Sequence, residues 1–224
     1  MARKFIFAVG IGFLVIALLS NAQEGGLQIV PTWSAENLYP SDYPGKPLPS
    51  EETPVVVSVE ILRAGKLIDP SLVHIKWYVD GKYYKEGEGM KEMLFYASKR
   101  AGDSHFIRIV ANLVELSASK IIEIPVVPRE VVVESDAGGS APANSSVTFI
   151  AVPYFFNVSS ISDLDISWKI QKQNIPGENK NTLFVQFGTP QNANQGAVKV
   201  SSLIKEKNNV FQKATGDFLI NIGQ

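Results

Sequence analysis

The residues whose types could carry out chemistry are few in this 224-residue chain, and they are not spaced for it. The sequence contains no cysteine, which excludes disulfides, thiolate catalysis and cysteine-ligated zinc. The two histidines, His74 and His105, have no further ligand at metal-binding spacing, and a structural site needs about four ligands. No Gly-x-Ser-x-Gly motif and no phosphate-binding loop occurs. We therefore predict a protein that is not an enzyme, with no catalytic residues, no cofactor and no metal site.

The acidic residues do not form a convincing site either. Asp163 and Asp165 could offer carboxylates to calcium, but they lack the dense oxygen spacing of a calcium loop. Glu86, Glu88 and Glu92 surround two glycines in a predicted loop. This pattern is more typical of solvated charges than of the carboxylate pair of a glycosidase.

The charge balance argues against nucleic acid as a partner. Lys and Arg together number 21 and Asp and Glu 22, which gives a formal net charge of -1 and leaves no basic surplus. Hydrophobic residues make up 45% of the chain and charged residues 19%, as in an ordinary globular protein with a core.

A proline-rich stretch supplies one group of candidate binding residues. Trp33, Tyr39 and Tyr43 lie among six prolines between residues 31 and 54. Because proline lacks the N–H donor of a sheet ladder, we expect an extended segment that lies along the first domain and blunts a strand edge. Trp33 would then cover a sheet edge. The alternative hypothesis is that this stretch is a docking strip for a partner.

A second group of candidates surrounds a predicted hairpin. Tyr78, Tyr83 and Tyr84 lie close together in the sequence, and alternation places Tyr78 on the face opposite Trp77. An outward tyrosine face can bind protein or carbohydrate, because each ring has an apolar body and a polar tip. Cross-strand pairing on a solvated face is the alternative explanation.

Trp77 and Trp168 are predicted to be structural core residues. A tryptophan on the third strand of many β-sandwiches packs between the two sheets. Burial removes about 150–250 Å² of an aromatic side chain from water, so packing alone explains both residues.

The chain after residue 22 has the pattern of β-strands separated by turns. His74 to Val79 alternates cleanly and ends at Asp80-Gly81, a strong hairpin signal because both turn positions need positive φ. Strands recur about every 10–15 residues, which predicts β-sandwiches. Only the stretch from Lys91 to Lys99 fits a short helix as well as a strand.

The strands fall into two related series, which indicates a tandem repeat with a boundary near Pro128. Two matches lie at an offset of 91 residues and one at 89. They are Ile75-Lys76-Trp77 with Ile166-Ser167-Trp168, Ile107-Arg108-Ile109 with Val198-Lys199-Val200, and Leu94-Phe95 with Leu183-Phe184.

The first copy contains the run from Trp77 to Gly81 and, after it, Ala101-Gly102 followed by an alternating strand. These two features resemble immunoglobulin-like modules of the PKD type. In the second copy only the strands around Trp168 and Val200 carry the resemblance. The resemblance implies tandem immunoglobulin-like β-sandwiches that act as spacers or adhesive units on bacterial surfaces, with no catalytic residues. The stretch around Trp33 is also similar to uncharacterised exported proteins of small-genome bacteria.

The N-terminus has the three parts of a secretory signal peptide. Arg3 and Lys4 are basic, residues 5–19 are a run of 15 apolar or glycine residues, and Ala22 ends a stretch of small residues. A membrane-spanning helix usually needs about 20 apolar residues, so we predict cleavage after Ala22 rather than an uncleaved anchor. Export without cysteine favours a bacterial source.

These features predict an all-β protein with two tandem immunoglobulin-like β-sandwiches after an N-terminal signal helix. The expected divisions are residues 1–22 (signal peptide or anchor), 23–54 (Pro-rich lead-in packed on the first module), 55–128 (the rest of that module) and 129–224 (the second module).

The expected function is that of an exported structural or adhesive protein, a spacer or protein-binding unit of the cell surface or envelope. Its partner would be a protein or glycan there, and any membrane contact would be made through the N-terminal apolar segment. The alternatives are a pair of carbohydrate-binding modules and a membrane-anchored subunit of an envelope assembly. Asn144 and Asn157 each match the N-glycosylation pattern, and whether either is modified stays open.

Overall fold

The computed structural model describes residues 26–176, 179–188 and 197–223. The predicted signal helix therefore lies outside the described residues. The described chain is built almost entirely of β-strands, with short 3₁₀ turns at Pro70–Leu72 and Ile161–Asp163. The all-β prediction is confirmed, and the ambiguous stretch from Lys91 to Lys99 contains a strand rather than a helix.

The first module has two sheets that enclose a hydrophobic core. One sheet has the order β1-β2-β6, with the short β3 beside β2, and the other has the order β5-β4-β7-β8. The strands are β1 (Leu27–Ala35), β2 (Pro54–Arg63), β3 (Lys66–Leu67), β4 (His74–Val79), β5 (Lys82–Glu88), β6 (Glu92–Tyr96), β7 (Ser104–Leu113) and β8 (Leu116–Pro125).

The second module repeats this plan around its own core. One sheet has the order β14-β11-β9 and the other β10-β16-β15-β12-β13. The strands are β9 (Glu130–Ser135), β10 (Ser140–Pro142), β11 (Ser146–Tyr154), β12 (Leu164–Ile170), β13 (Gln173–Ile175), β14 (Thr182–Gln186), β15 (Val198–Glu206) and β16 (Lys213–Gly223). Among the described strands, all pairs are antiparallel except β10 with β16, which is parallel. Two packed, mainly antiparallel sheets with this strand order are an immunoglobulin-like sandwich, so the chain is a tandem pair of such modules.

The two tryptophans occupy equivalent core positions. Trp77 and Trp168 are almost fully buried at the centres of the two cores. The indole N–H of Trp77 donates to the carbonyl of Met90 at 2.8 Å, and that of Trp168 donates to the carbonyl of Lys180 at 2.8 Å. Each ring therefore contributes both apolar burial and a satisfied hydrogen bond.

The strand match at offset 89 is one residue out of register. Leu94 points outward in β6, whereas Leu183 points into the core in β14. Phe95 is buried and Phe184 is exposed, so pairing Leu94-Phe95 with Leu183-Phe184 reverses the two faces. Side chains alternate along a strand, so a shift of one residue exchanges buried and exposed positions.

The prediction that the Pro-rich stretch forms no sheet ladder is wrong for its first part. Residues 27–35 are strand β1, which pairs antiparallel with β2 along its whole length, including Pro31 opposite Val59. Strand β1 is an edge strand, where the missing N–H of proline can face away from the ladder. The lead-in therefore supplies the first strand of the first module.

The remainder of this stretch, residues 36–53, lies between the two modules: its Glu52 N–H donates to the Ala97 carbonyl of the first module, and other residues contact the second. We call it the junction segment. Leu38 exchanges two main-chain hydrogen bonds of 2.7 Å with Phe155 and Phe156, and its side chain packs against the second core. The Ser50 hydroxyl also donates to the Phe155 carbonyl at 2.7 Å. The two modules are thus joined by specific contacts as well as by the chain at Pro128.

Asn157 is the polar centre of this junction. Its Oδ1 accepts a hydrogen bond from the Thr53 hydroxyl at 2.5 Å, and its Nδ2 donates to the Glu51 carbonyl at 2.9 Å. Its main-chain N–H donates to the buried Glu206 carboxylate at 2.9 Å. Nδ2 is also the atom that a glycan would modify, and one of its two hydrogens is used in the bond to Glu51.

The three consecutive aromatic residues at positions 154–156 end strand β11 at the junction. Phe155 has a φ of 63°, a strained value for a bulky residue, and this turn lets both Phe155 and Phe156 be buried. The ring of Tyr43 packs edge-on against Tyr154 and Phe155, with centroids 6.0 and 5.7 Å apart. One aromatic residue thus enters the core while another covers the contact between modules.

Candidate functional site

The candidate site is a row of side chains that crosses the outer face of the β5-β4-β7-β8 sheet. Tyr83, Tyr78, Arg108 and Ile121 lie opposite one another on the four strands in that order. We call this set the aromatic row. The rings of Tyr78 and Tyr83 meet edge-on with centroids 6.1 Å apart, and the Arg108 guanidinium lies 3.8 Å from the Tyr78 ring centre. Stacking on Tyr78 orders Arg108 and leaves a flat, amphipathic surface.

The two ends of the aromatic row are open to solvent. Tyr83 is 58% exposed and Ile121 is 59% exposed, and Phe106 beside them is 48% exposed. Such a concentration of large apolar side chains on one sheet face is typical of an interaction surface, whereas single exposed apolar residues are not. The chemistry that this face offers is ring stacking, apolar contact and a guanidinium donor.

The hairpin that carries Tyr78 and Tyr83 has the predicted turn. Asp80 and Gly81 have φ values of 52° and 79°, as the two-residue turn requires. A register shift after Trp77 leaves Tyr84 as the extra residue of β5. As a result, Tyr83 and Tyr84 are both exposed although they are consecutive.

The Asp80 carboxylate fixes this turn against the neighbouring strand. Its Oδ1 accepts from the Phe106 N–H at 3.0 Å and from Lys99 Nζ at 2.8 Å, and its Oδ2 contacts His105 Nδ1 at 2.7 Å. Burial raises the pKa of Asp80, but the hydrogen bonds from Lys99, the Phe106 N–H and His105 outweigh it, so the pKa lies below its usual value. The aromatic row is therefore held on a rigid turn.

His105 is buried, and its partner Asp80 is open to solvent. The Ser98 N–H donates to His105 Nε2 at 3.1 Å, so Nδ1 carries the proton and donates to Asp80. Both ring nitrogens are occupied, whereas the histidine of a catalytic triad uses one nitrogen to accept from a serine hydroxyl. Both histidines lie within strands: His105 in β7 and His74 in β4, where His74 contacts Glu86 and Glu88.

The other predicted binding residues do not join this face. Trp33 points toward the first core, and Lys46 Nζ lies 3.8 Å from its ring centre, where partial burial lowers the pKa of Lys46. Tyr43 packs in the junction, and its ring is 6.2 Å from that of Tyr39. The Tyr84 hydroxyl donates to a main-chain carbonyl of β6 at 2.7 Å. The structure thus brings Tyr78 and Tyr83 together and separates the other four residues from them.

Sequence reasoning missed Arg108, Ile121 and Phe106 as members of the face. The alternation of strand β7 places Phe106 and Arg108 outward, opposite the buried Ile107 and Ile109, and that signal was available. Ile121 could not be assigned, because the register between β7 and β8 follows from the hairpin at residues 113–116.

The equivalent row in the second module is polar. Lys169 comes directly after Trp168, as Tyr78 comes directly after Trp77, and so defines the matching row. The row consists of Asn174, Lys169, Ser201 and Asp217 on β13, β12, β15 and β16. Asp217 also forms an ion pair of 2.7 Å with the neighbouring Lys199. This row is charged and solvated, although Leu219, two residues after Asp217 on the same face, is 61% exposed.

A buried acid and base lie at the junction. Arg129 Nη2 donates to the Glu51 carbonyl at 2.6 Å, and Arg129 Nε is 3.9 Å from Glu206 Oε1. Burial raises the pKa of Glu206, while the Asn157 N–H and Arg129 oppose the rise. Burial likewise lowers the pKa of Arg129. These groups connect the modules, and Arg129 also lines a small open cleft together with Glu51 and Gln212.

No cluster of three or more His, Cys, Asp or Glu side chains in residues 26–176, 179–188 and 197–223 is arranged to hold a metal ion. Within these same ranges, no helix is both long and apolar enough to cross a membrane.

Comparison with known proteins gives structural likeness only. No protein-family model matches the chain, and no curated protein matches it. The three N-terminal domains of the highly immunogenic outer capsid protein of bacteriophage RB49 are similar, with 9% identity and a TM-score of 0.48, over 88% of this chain and 59% of that one. The fibronectin(III)-like modules of Clostridium thermocellum CbhA give 12% identity and a TM-score of 0.31, over 85% and 95% of the two chains.

The N-terminal four Ig domains of Dscam1 isoform 8.4 give 11% identity and a TM-score of 0.34, over 86% of this chain and 47% of that one. This chain thus spans little more than half of the capsid-protein structure and less than half of the Dscam1 structure. At these identities the likeness concerns the fold alone. The PKD-type resemblance and the similarity to exported proteins stay predictions.

Proposed function

We propose that this chain is an exported, non-enzymatic protein of the cell surface or envelope that binds a protein partner through the aromatic row of its first module. The second module and the junction segment would hold that face at a fixed position relative to the rest of the molecule. Tandem immunoglobulin-like modules fit such a structural or protein-binding role.

The observation that carries this proposal is the difference between equivalent rows on one repeated framework. Tyr83, Tyr78 and Ile121 present apolar surface where the second module has Asn174, Lys169 and Asp217. A fold needs no exposed apolar row at this position, because the second module has the same sandwich without one. Tyrosine and arginine are also the residue types enriched among the energetic anchors of protein interfaces.

The junction supports a fixed geometry. Hydrogen bonds from Leu38, Ser50, Thr53 and Asn157 cross between the modules, and the half-buried ring of Tyr43 packs on the buried Phe155 at the same interface. Relative domain motion is the default for modules with a sparse interface, and this interface is instead specific and partly buried.

Carbohydrate binding is the second candidate, and the exposed ring of Tyr83 is the observation that favours it. The two core tryptophans are buried and are not available to stack on a sugar. Tyrosine rings could still do so, and the experiment below separates the two classes of partner.

The test is a titration of the labelled protein onto the envelope fraction of the cells that produce it. Tyr83→Ser and Ile121→Ser should each weaken binding about tenfold or more, the cost of removing an interface anchor. Asn174→Ser and Lys169→Ser change the equivalent row of the second module and should leave the affinity unchanged. All four positions lie on outer sheet faces, so near-UV circular dichroism should show intact folds.

Two treatments of the envelope fraction identify the partner class. Protease digestion should abolish binding and periodate oxidation of glycans should not. The reverse result would favour carbohydrate binding, and equal loss for first-module and second-module variants would contradict the proposed face.

Export is tested separately by the mass of the N-terminal peptide of the natural protein. A chain that begins at Gln23 in the medium, periplasm or envelope agrees with the proposal. A chain that retains Met1 in the membrane fraction would instead indicate the anchored envelope subunit.

A further inference from the structure

Strand β14 of the second module presents an open, uncharged edge. It pairs with β11 on one side, and no strand of the described ranges pairs with its other side. Its sequence, Thr-Leu-Phe-Val-Gln from Thr182 to Gln186, contains no charge, proline or glycine. Such residues favour strand pairing, and natural edge strands usually carry charges or prolines that prevent it.

The register of β14 shows which of its main-chain groups face outward. The Ala151 N–H donates to the Asn181 carbonyl, and the Phe187 N–H donates to the Ser145 carbonyl. Hydrogen-bonded pairs alternate along an antiparallel ladder, so Leu183 and Val185 also bond to β11. The N–H and C=O groups of Thr182, Phe184 and Gln186 therefore point away from β11.

The equivalent strand of the first module is protected at the same position. In β6 the outward residues are Glu92, Leu94 and Tyr96, by the same analysis of its ladder with β2. The Tyr84 hydroxyl donates to the outward carbonyl of Leu94 at 2.7 Å, and Glu92 places a charge on the edge. The outer edge of β6 in the first module is thus protected by a charge and a side-chain hydrogen bond, whereas the outer edge of β14 in the second module carries no charge.

We propose that β14 pairs antiparallel with β14 of a second copy of this chain, about a two-fold axis at Phe184. This pairing would join two three-stranded sheets into one six-stranded sheet across the dimer. It is an interaction beyond the proposed binding face, and it uses the other module.

The strand is complementary to itself in this register. Phe184 lies at its centre with both N–H and C=O outward, so two copies of Phe184 would exchange a pair of hydrogen bonds. Thr182 would lie opposite Gln186 of the second copy, again with outward groups that match and no charge to repel. Phe184 is 78% exposed, and its ring would lie beside its symmetry mate as a cross-strand aromatic pair.

The extent of the contact predicts a weak dimer. A five-residue strand pair with one aromatic pair buries much less than the roughly 1,200–2,000 Å² of a standard stable interface. We therefore expect a monomer–dimer equilibrium that shifts with protein concentration rather than a permanent dimer.

The chain contains no cysteine, so a single introduced cysteine reports directly on this contact. Opposed residues in a hydrogen-bonded antiparallel pair have Cα atoms about 5.5 Å apart, within disulfide range. In the full chain, Phe184→Cys should form a disulfide-linked dimer at least tenfold faster than Leu94→Cys, the matched variant on β6. Labelling with a small thiol reagent checks that both cysteines are accessible.

Sedimentation of the full chain gives the second measurement. The weight-average mass should rise from the 24.5 kDa of one chain toward twice that value with increasing concentration. Phe184→Lys should reduce the association constant at least tenfold, because it places two like charges side by side, and Leu94→Lys should not. An unchanged circular dichroism spectrum shows that the exposed substitution leaves the fold intact.

Three results would overturn the proposal: a monomer at every concentration, a dimer that Phe184→Lys does not weaken, or equal cross-linking rates for the two cysteine variants. The second of these would place any self-association elsewhere on the chain.

Discussion

The residues that follow the two core tryptophans show how the modules have diverged. Trp77 and Trp168 have the same burial and the same type of hydrogen bond to a main-chain carbonyl. One residue later, Tyr78 stands on an aromatic and apolar row, whereas Lys169 stands on a polar one. The shared framework needs only the buried residue, so the exposed difference is where the proposed binding face of the first module departs from the second.

The largest expected effect tests the shared part of this comparison. Trp77→Ala and Trp168→Ala should each lower the free energy of unfolding by about 3–5 kcal/mol, because each change creates a cavity and removes an indole hydrogen bond. Denaturant unfolding followed by circular dichroism measures both. A loss below about 1 kcal/mol in either variant would mean that the two rings are not equivalent core residues.

The parts of the fold that depend on residues close together in the sequence were predictable, and the parts that depend on distant contacts were not. The hairpin at Asp80 and Gly81 and the strand around Trp77 depend on neighbouring residues, and the sequence patterns predicted both. The path of the junction segment depends on contacts such as Ser50 with Phe155, more than 100 residues apart, which no local pattern encodes. The contacts of this segment with the second module were therefore not predicted.

The candidate site was partly predictable for the same reason. Tyr78 and Tyr83 face each other across one hairpin, so short-range pairing was enough to group them. Tyr39 and Tyr43 are also tyrosines, each followed by a proline, but the second module determines what surrounds them. Residue type alone did not distinguish an exposed tyrosine from one that packs inside a junction.

A second comparison concerns the residue two strands away from each tryptophan. In the first module the order is Trp77, Ile109 and Lys120, and in the second it is Trp168, Ser202 and Gly216. Lys120 is exposed on the edge strand β8. At Gly216, by contrast, strand β9 approaches so closely that a Cβ would lie 2.2 Å from the Val131 carbonyl oxygen.

Gly216→Ala should therefore be the next largest effect. The added methyl group must displace main chain, and we expect a loss of about 1–3 kcal/mol in the free energy of unfolding. Lys120→Ala at the matched position should change it by no more than about 0.5 kcal/mol, as for other exposed sites. Thermal and denaturant unfolding of both variants provide the measurement. Equal effects would mean that the β9–β16 approach is no closer than the edge of the first module.

The smallest effects should come from two carboxylates that titrate with opposite signs. The folded-state pKa of Asp80 lies below its ordinary value of 3.8, so its contribution to stability is present above about pH 4 and is lost as the pH falls through the folded pKa. The folded-state pKa of Glu206 lies above its ordinary value of 4.5 because of burial. Its contribution is present below that value and is lost as the pH rises through the folded pKa.

Unfolding free energies of wild type, Asp80→Asn and Glu206→Gln, measured from acid to neutral pH, test this pair. The advantage of wild type over Asp80→Asn should shrink as the pH falls below about 4, because protonation removes the charge that Lys99 and His105 hold. Glu206→Gln should gain on wild type as the pH rises above about 4.5, because glutamine can still accept from the Asn157 N–H without a buried charge. The two differences, wild type minus Asp80→Asn and wild type minus Glu206→Gln, should change in opposite directions with pH. If they change in the same direction, burial does not disfavour the charged form of Glu206, and the contrast between the hairpin and the junction fails.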